Sequence, residues 1–88
     1  MNNQRRKALA KLVDRLSELE ALRASILEEL QDVANEEREA FEAMPESLQE
    51  SERGQTASEA ADKLEEAVGE LEGFDIESLS TMIEEAQA

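Results

Sequence analysis

The sequence lacks several residue types on which common protein chemistries depend. Its 88 residues include no cysteine and no histidine, which excludes disulfides, thiolate metal sites and catalysis by a thiol or an imidazole. Tryptophan and tyrosine are absent, and the three glycines, at 54, 69 and 73, form no phosphate-binding loop. We therefore expect a protein that is not an enzyme and that binds no cofactor and no metal ion.

Long apolar runs are also absent. No stretch approaches the roughly 18 apolar residues of a membrane-spanning helix. The first residues, MNNQRRKALAKLVDRL, carry charges but no apolar segment of the kind found in signal peptides. These absences predict a cytoplasmic protein that makes no contact with a membrane.

The residues that are present favour long helices. Between about Asn3 and Ala43 there is no glycine and no proline, and apolar residues recur at helical spacing. They form two heptad rows. One row consists of Leu9, Leu16, Leu30 and Met44, and the other consists of Leu12, Leu19, Ile26, Val33 and Ala40. The combined stripe is wider than the seam of a two-stranded coiled coil, so it favours a helical bundle. We predict an oligomer interface that contains Leu9, Leu12, Leu16, Leu19, Ile26, Leu30 and Val33.

Proline and glycine divide the rest of the chain. Pro45 disfavours helical geometry at the residue before it, which predicts a helix over about 3–43 and a turn over 44–54. A second helix is predicted over about 55–72, with Ser51 or Thr56 as its N-cap. A short last helix is predicted over about 76–86, with Asp75 as its N-cap. Whether the chain bends or breaks at Gly73 is left open by the sequence.

These elements predict an all-α fold with a single helical domain over residues 1–88. A long first helix and a returning pair of similar total length favour a long antiparallel helical hairpin, similar to a coiled coil. One hairpin leaves much of the wide apolar stripe exposed. We therefore expect two hairpins to pair into a dimeric four-helix bundle.

Charge is distributed unevenly along the chain. Residues 1–16 carry five bases and one acid, a net of +4, and the remaining residues carry a net of −18. Such a body repels nucleic acid, so direct nucleic-acid binding is not expected, and it attracts basic protein surfaces. The predicted partner-binding acidic face consists of Glu28, Glu29, Asp32, Glu36, Glu39, Glu42 and Glu46.

Each charged segment has more than one interpretation. Like-charged neighbours such as Glu36 and Glu39 cost a helix about a few tenths of a kcal/mol, and a row of carboxylates resembles the phosphates of a duplex. Alternatively, the same acids could serve only to keep the protein soluble. The basic start, with Arg5, Arg6 and Lys7, is interpreted as pairing with acids of a neighbouring helix or as binding a small anion in an oligomeric pocket.

The segment EEREAFEAMPESLQESERG, at residues 36–54, is the most individual part of the chain. It resembles a family of short phage and prophage proteins in which an acidic helix ends in a Met-Pro-Glu-Ser-Leu-Gln turn, followed by Ser-Glu-Arg-Gly and an Ala/Glu-rich helix. The similarity covers about residues 30–72. It implies an origin in a mobile element and action inside a bacterial cell, and it carries over no catalytic residues.

Three functions follow from these observations as expectations. The leading one is a non-enzymatic interaction protein of phage type, which binds and inhibits or modulates a host or defence protein through its acidic face by nucleic-acid mimicry or by docking on a basic surface. The second is a structural coiled-coil assembly protein or virion accessory protein. The third is an oligomeric binder of a small anion or nucleotide, which would use Arg5, Arg6 and Lys7.

Overall fold

The computed structural model describes residues 1–87 and contains four helices. These are α1 (Asn3–Glu42), α2 (Glu46–Gln49), α3 (Glu52–Glu72) and α4 (Ile76–Ala86). The chain is 87% helical, and no strand occurs among the described residues. The predicted all-α fold class is therefore confirmed.

The turn between α1 and α3 contains more structure than the sequence indicated. α1 ends at Glu42, and Pro45 takes the N-cap position of the short helix α2 with extended backbone angles, φ −57° and ψ 149°. The side-chain amide of Gln49 then lies within hydrogen-bond distance of the carbonyl oxygens of Phe41, Glu42 and Met44, at 3.3, 3.3 and 3.0 Å. Gln49 thus provides a side-chain donor to the carbonyl groups at the end of α1 and in the turn that follows it.

Ser51 is the N-cap of α3. Its hydroxyl oxygen accepts a hydrogen bond from the backbone N–H of Gly54 at 3.2 Å. Thr56, the alternative cap, lies inside the helix, and its hydroxyl donates to the carbonyl oxygen of Glu52 at 3.0 Å. Because the cap is at Ser51, α3 begins at Glu52, three residues before the predicted start at 55.

The chain breaks near Gly73 and does not merely bend. α3 ends at Glu72, and a new helix starts at Ile76. The Asp75 carboxylate accepts a hydrogen bond from the backbone N–H of Ser78 at 2.9 Å, which is the N-cap contact expected for this residue type.

The chain forms two compact units, each with antiparallel helices. The terminal unit contains Met1–Ser25 and the stretch from Phe74 onwards, and the turn unit contains Ile26–Gly73. In the terminal unit, the start of α1 meets the end of α4, because Arg6 Nε donates to the Gln87 carbonyl at 3.1 Å. In the turn unit, Arg38 reaches Asp62 and Glu65 of α3, and Gln31 reaches Glu72. The predicted antiparallel packing of α1 against the returning helices is therefore present in each unit.

The apolar core is thin. Among the described residues, only Ala34, Ala61 and Ile76 are apolar and buried, with exposed fractions of 2%, 0% and 3%. Two of the three are alanines, and both lie in the turn unit, where small side chains permit a close approach of neighbouring backbones. Ile76 is the single large side chain buried to this degree. None of the described helices has a stretch long and apolar enough to cross a membrane.

Candidate interaction surfaces

The predicted acidic face lies in the turn unit, on the second part of α1 and on α2. All seven of its side chains are exposed, and none forms an ion pair within residues 1–87; they are Glu28, Glu29, Asp32, Glu36, Glu39, Glu42 and Glu46. Within the described part of the chain, no group of three or more carboxylates could hold a metal ion. The structure therefore presents these carboxylates to solvent as an uncompensated negative surface.

Arg38, the one base within residues 28–46, binds acids of α3. Arg38 is directed at α3, where its guanidinium makes two 3.0 Å hydrogen bonds to the Glu65 carboxylate and one of 2.5 Å to Asp62. These hydrogen bonds raise the pKa of Arg38 above its ordinary value and lower that of Glu65. Arg38 therefore stabilises the helix pair of the turn unit and leaves the acidic face without a cation.

Titration of Glu65 tests this arrangement. Its pKa lies below the ordinary 4.5, mainly because Arg38 donates to its carboxylate. A lowered pKa in the folded state means that the ion pair stabilises the fold above about pH 4.5, and that this contribution is lost as pH falls through the folded-state pKa. NMR titration of the carboxyl carbons should show Glu65 titrating below the ordinary value, and Arg38→Gln should move its midpoint upward. A midpoint unchanged by Arg38→Gln would contradict the contact.

The two units differ strongly in charge. The turn unit carries three bases and 16 acids, a net of −13, and the terminal unit carries six bases and seven acids, a net of −1, which together give the −14 of the chain. The sequence showed the basic start, and the structure adds Asp75 and the three acids of α4 to the same unit. Packing of α4 beside the start of α1 makes the terminal unit almost neutral.

The terminal unit has an open apolar groove between α1 and α4. The groove has a volume of about 570 Å³, and its apolar lining residues are Leu12, Leu16, Leu19, Leu22, Leu79 and Ile83. Two charged residues, Arg15 and Glu18, complete its border. Four of these leucines, at positions 12, 19, 22 and 79, have exposed fractions between 42% and 56%. This is an unusual concentration of exposed large apolar side chains for so small a unit.

The structure divides the predicted oligomer interface between two sides of α1. Leu9, Leu16 and Leu30 are half-buried. The other row stays exposed, with exposed fractions of 42% for Leu12, 45% for Leu19, 45% for Ile26 and 50% for Val33. Leu22 lies outside both heptad rows, and nothing in the sequence connects Leu79 with α1. Their helical spacing was visible, but the pairing of α4 with α1 was not.

Arg23 has a structural role in the terminal unit. In the sequence it interrupts the first heptad row, yet its side chain is only 17% exposed and its guanidinium lies 2.7 Å from the Glu20 carboxylate. The hydrogen bonds that Arg23 donates to the Glu20 carboxylate raise the pKa of Arg23, and attraction by Asp75 and Glu77 acts in the same direction. Arg23 therefore stabilises the region where α4 begins beside α1.

The basic start of α1 does not form a uniform cluster of free cations. Arg6 is half-buried and donates to the carbonyl of Gln87, the residue that follows α4, whereas the side chains of Arg5 and Lys7 are exposed. The Arg6 contact is internal to the terminal unit. It therefore favours the interpretation of this segment as one that holds neighbouring helices together.

Comparison of the chain with protein-family models, with curated proteins and with solved structures found no match.

Proposed function

We propose that this chain is a non-enzymatic interaction protein of phage type, which acts in the cytoplasm of a bacterial host. Its acidic face docks on a basic surface of a host or defence protein and inhibits or modulates that protein. The chain acts as a dimer, and its partner is a protein, not a nucleic acid. The resemblance of residues 36–54 to short phage proteins supports the proposed origin.

The observation that carries this proposal is the set of seven exposed carboxylates without a cation. The base nearest to them in the sequence, Arg38, is already bound to Asp62 and Glu65 of α3. Repulsion along the row has a cost for α1, since carboxylates three or four residues apart on a helix are neighbours about 5–6 Å apart. A basic groove that binds a nucleic acid backbone would offset this repulsion, and it would do so through many simultaneous charge contacts.

Charge reversal with a matched control tests the proposal. The face variant combines Glu36→Lys, Glu39→Lys and Glu42→Lys, and the control combines Glu52→Lys, Glu59→Lys and Glu70→Lys. Each variant replaces three glutamates with lysine, so both change the net charge equally, and all six residues are exposed in the same unit. Affinity purification from a bacterial lysate, with mass spectrometry, should recover a basic protein with the parent and the control but not with the face variant.

Two outcomes would contradict the acidic-face proposal. Retention of the same proteins by the face variant would show that these carboxylates do not bind them. Equal loss with both variants would show that net charge alone is responsible. Capture by the parent should also weaken as salt is raised, because the screening length falls to about 3 Å at 1 M.

A structural assembly protein is the second candidate, and the exposed apolar groove favours it. Such a protein would form large, charge-insensitive oligomers through its leucine-rich surface. The acidic-face variant would then assemble like the parent, and no basic partner would be recovered. Mass determination in solution separates the candidates, because an interaction protein of the proposed kind stops at the dimer.

A further inference from the structure

We propose that the α1–α4 groove of the terminal unit is the dimer interface, and that the same groove of a second copy covers it. The two α1 helices run antiparallel about a two-fold axis that crosses the groove at the level of residue 17. This inference rests on the dimeric state included in the proposed function. It adds the surface and the orientation of the helices.

Exposed apolar area is the first support. Four leucines with exposed fractions of 42–56% lie together in the groove. They are Leu12, Leu19, Leu22 and Leu79. Transfer of such side chains out of water is favourable in proportion to the apolar area removed. The buried core of the described chain contains only one large side chain, Ile76, so a small fold of this kind gains from an intermolecular core.

Charge segregation identifies the occupant as a second copy. Two chains with a net charge of −14 repel each other, and contact between two acidic turn units, each at −13, would bring most of that charge together. Contact between two terminal units, each with a net charge of −1, avoids it. An apolar surface on the nearly neutral unit is therefore placed where self-association meets the least electrostatic opposition.

The groove is also complementary to itself. Its lining residues on α1 lie symmetrically about position 17, so a two-fold axis there places Leu12 of one copy level with Leu22 of the second copy. The same axis brings the guanidinium of Arg15 toward the carboxylate of Glu18 of the second copy, and the pair occurs twice by symmetry. A parallel arrangement would instead set the bases of residues 5–15 against the same bases of the other helix.

Mass determination of the full chain tests the surface. Sedimentation equilibrium of the parent should give a dimer, and Leu19→Glu and Leu22→Glu should each raise the dimer dissociation constant by at least about 30-fold, as expected for central interface residues. The matched control is Val33→Glu, because Val33 is equally exposed at 50% on the same helix but lies outside the groove. It should stay dimeric. Helical circular dichroism checks that every variant remains folded.

The orientation is tested by a distance between spin labels. The chain has no cysteine, so Gln4→Cys gives one labelling site per copy, at an exposed position of α1. An axis near residue 17 separates the two labelled positions by 26 residues along the helix direction, which is roughly 39 Å at 1.5 Å per residue. Parallel helices would hold them about 10 Å apart.

A monomeric parent, a dimer that survives both groove substitutions, or equal disruption by Val33→Glu would overturn the proposed interface. A short distance between the labels would overturn the antiparallel arrangement. These failures are distinguishable from failure of the proposed function. The partner-binding test changes Glu36, Glu39 and Glu42 in the turn unit and leaves every groove residue intact.

Discussion

Gly54→Ala is expected to lower the free energy of unfolding by about 3 kcal/mol. A β-carbon at this buried position would lie 2.6 Å from the carbonyl carbon of Gln49, and still closer to the carbonyl oxygens of Leu48 and Gln49. These are backbone atoms, so no side-chain rotation can relieve the overlap. The Gly54 amide is also held by the Ser51 hydroxyl, which prevents the first turn of α3 from shifting without loss of its cap.

Gly69→Ala is the matched control and should have the opposite sign. Gly69 lies inside α3, and a β-carbon there would meet no atom within 4 Å. Removal of a glycine from a helix interior should raise the free energy of unfolding by about 0.5–1 kcal/mol. Urea denaturation followed by helical circular dichroism, at one fixed chain concentration, measures both changes. Equal stability of Gly54→Ala and the parent would contradict the tight packing between α2 and α3.

The long first helix was predictable because local properties determine it. A stretch without glycine or proline, with apolar residues at helical spacing, has a strong preference for helix whatever lies around it. The end of that helix was equally local, because Pro45 restricts the residue before it. Asp75 also acted as the sequence indicated, since an N-cap contact depends only on residues within three positions along the chain.

The turn between α1 and α3 shows where local reasoning failed. Ser51 and Thr56 both have side chains suitable for an N-cap, and the local feature that distinguishes them, the capping-box spacing of Thr56 and Glu59, favours Thr56. The selection comes from Gly54, whose missing side chain allows α3 to begin directly against the carbonyl groups of α2. The contact of Gln49 with the end of α1 is likewise a tertiary contact, invisible in spacing alone.

The surfaces were predicted in composition but not in arrangement. Counting charges located the acidic segment, and solvent exposure of its carboxylates follows from the high cost of burying an unpaired charge. The direction of Arg38 did not follow, because Asp62 and Glu65 are 24 and 27 residues away. The heptad pattern also could not say which row packs within the chain. That division depends on the position of α4, and it is what separates the half-buried Leu16 from the exposed Leu19.

Ile76→Ala is expected to lower the free energy of unfolding by about 3 kcal/mol, within the range for a large side chain truncated in a core. Ile76 is 3% exposed and follows the Asp75 cap directly, so its loss weakens the docking of α4 on α1 in the terminal unit. Met82→Ala is the control on the same helix, because Met82 is 62% exposed and its truncation should change stability by less than about 0.5 kcal/mol.

Urea denaturation at fixed chain concentration should separate the two variants, and amide hydrogen exchange should show faster exchange in α4 of Ile76→Ala alone. A change as small as that of Met82→Ala would mean that α4 is not held by this side chain. Because Leu79 and Ile83 reach the groove only when α4 is docked, Ile76→Ala should also weaken the proposed dimer although Ile76 lies outside the groove lining. Docking of α4 and formation of the dimer interface are therefore expected to be lost together.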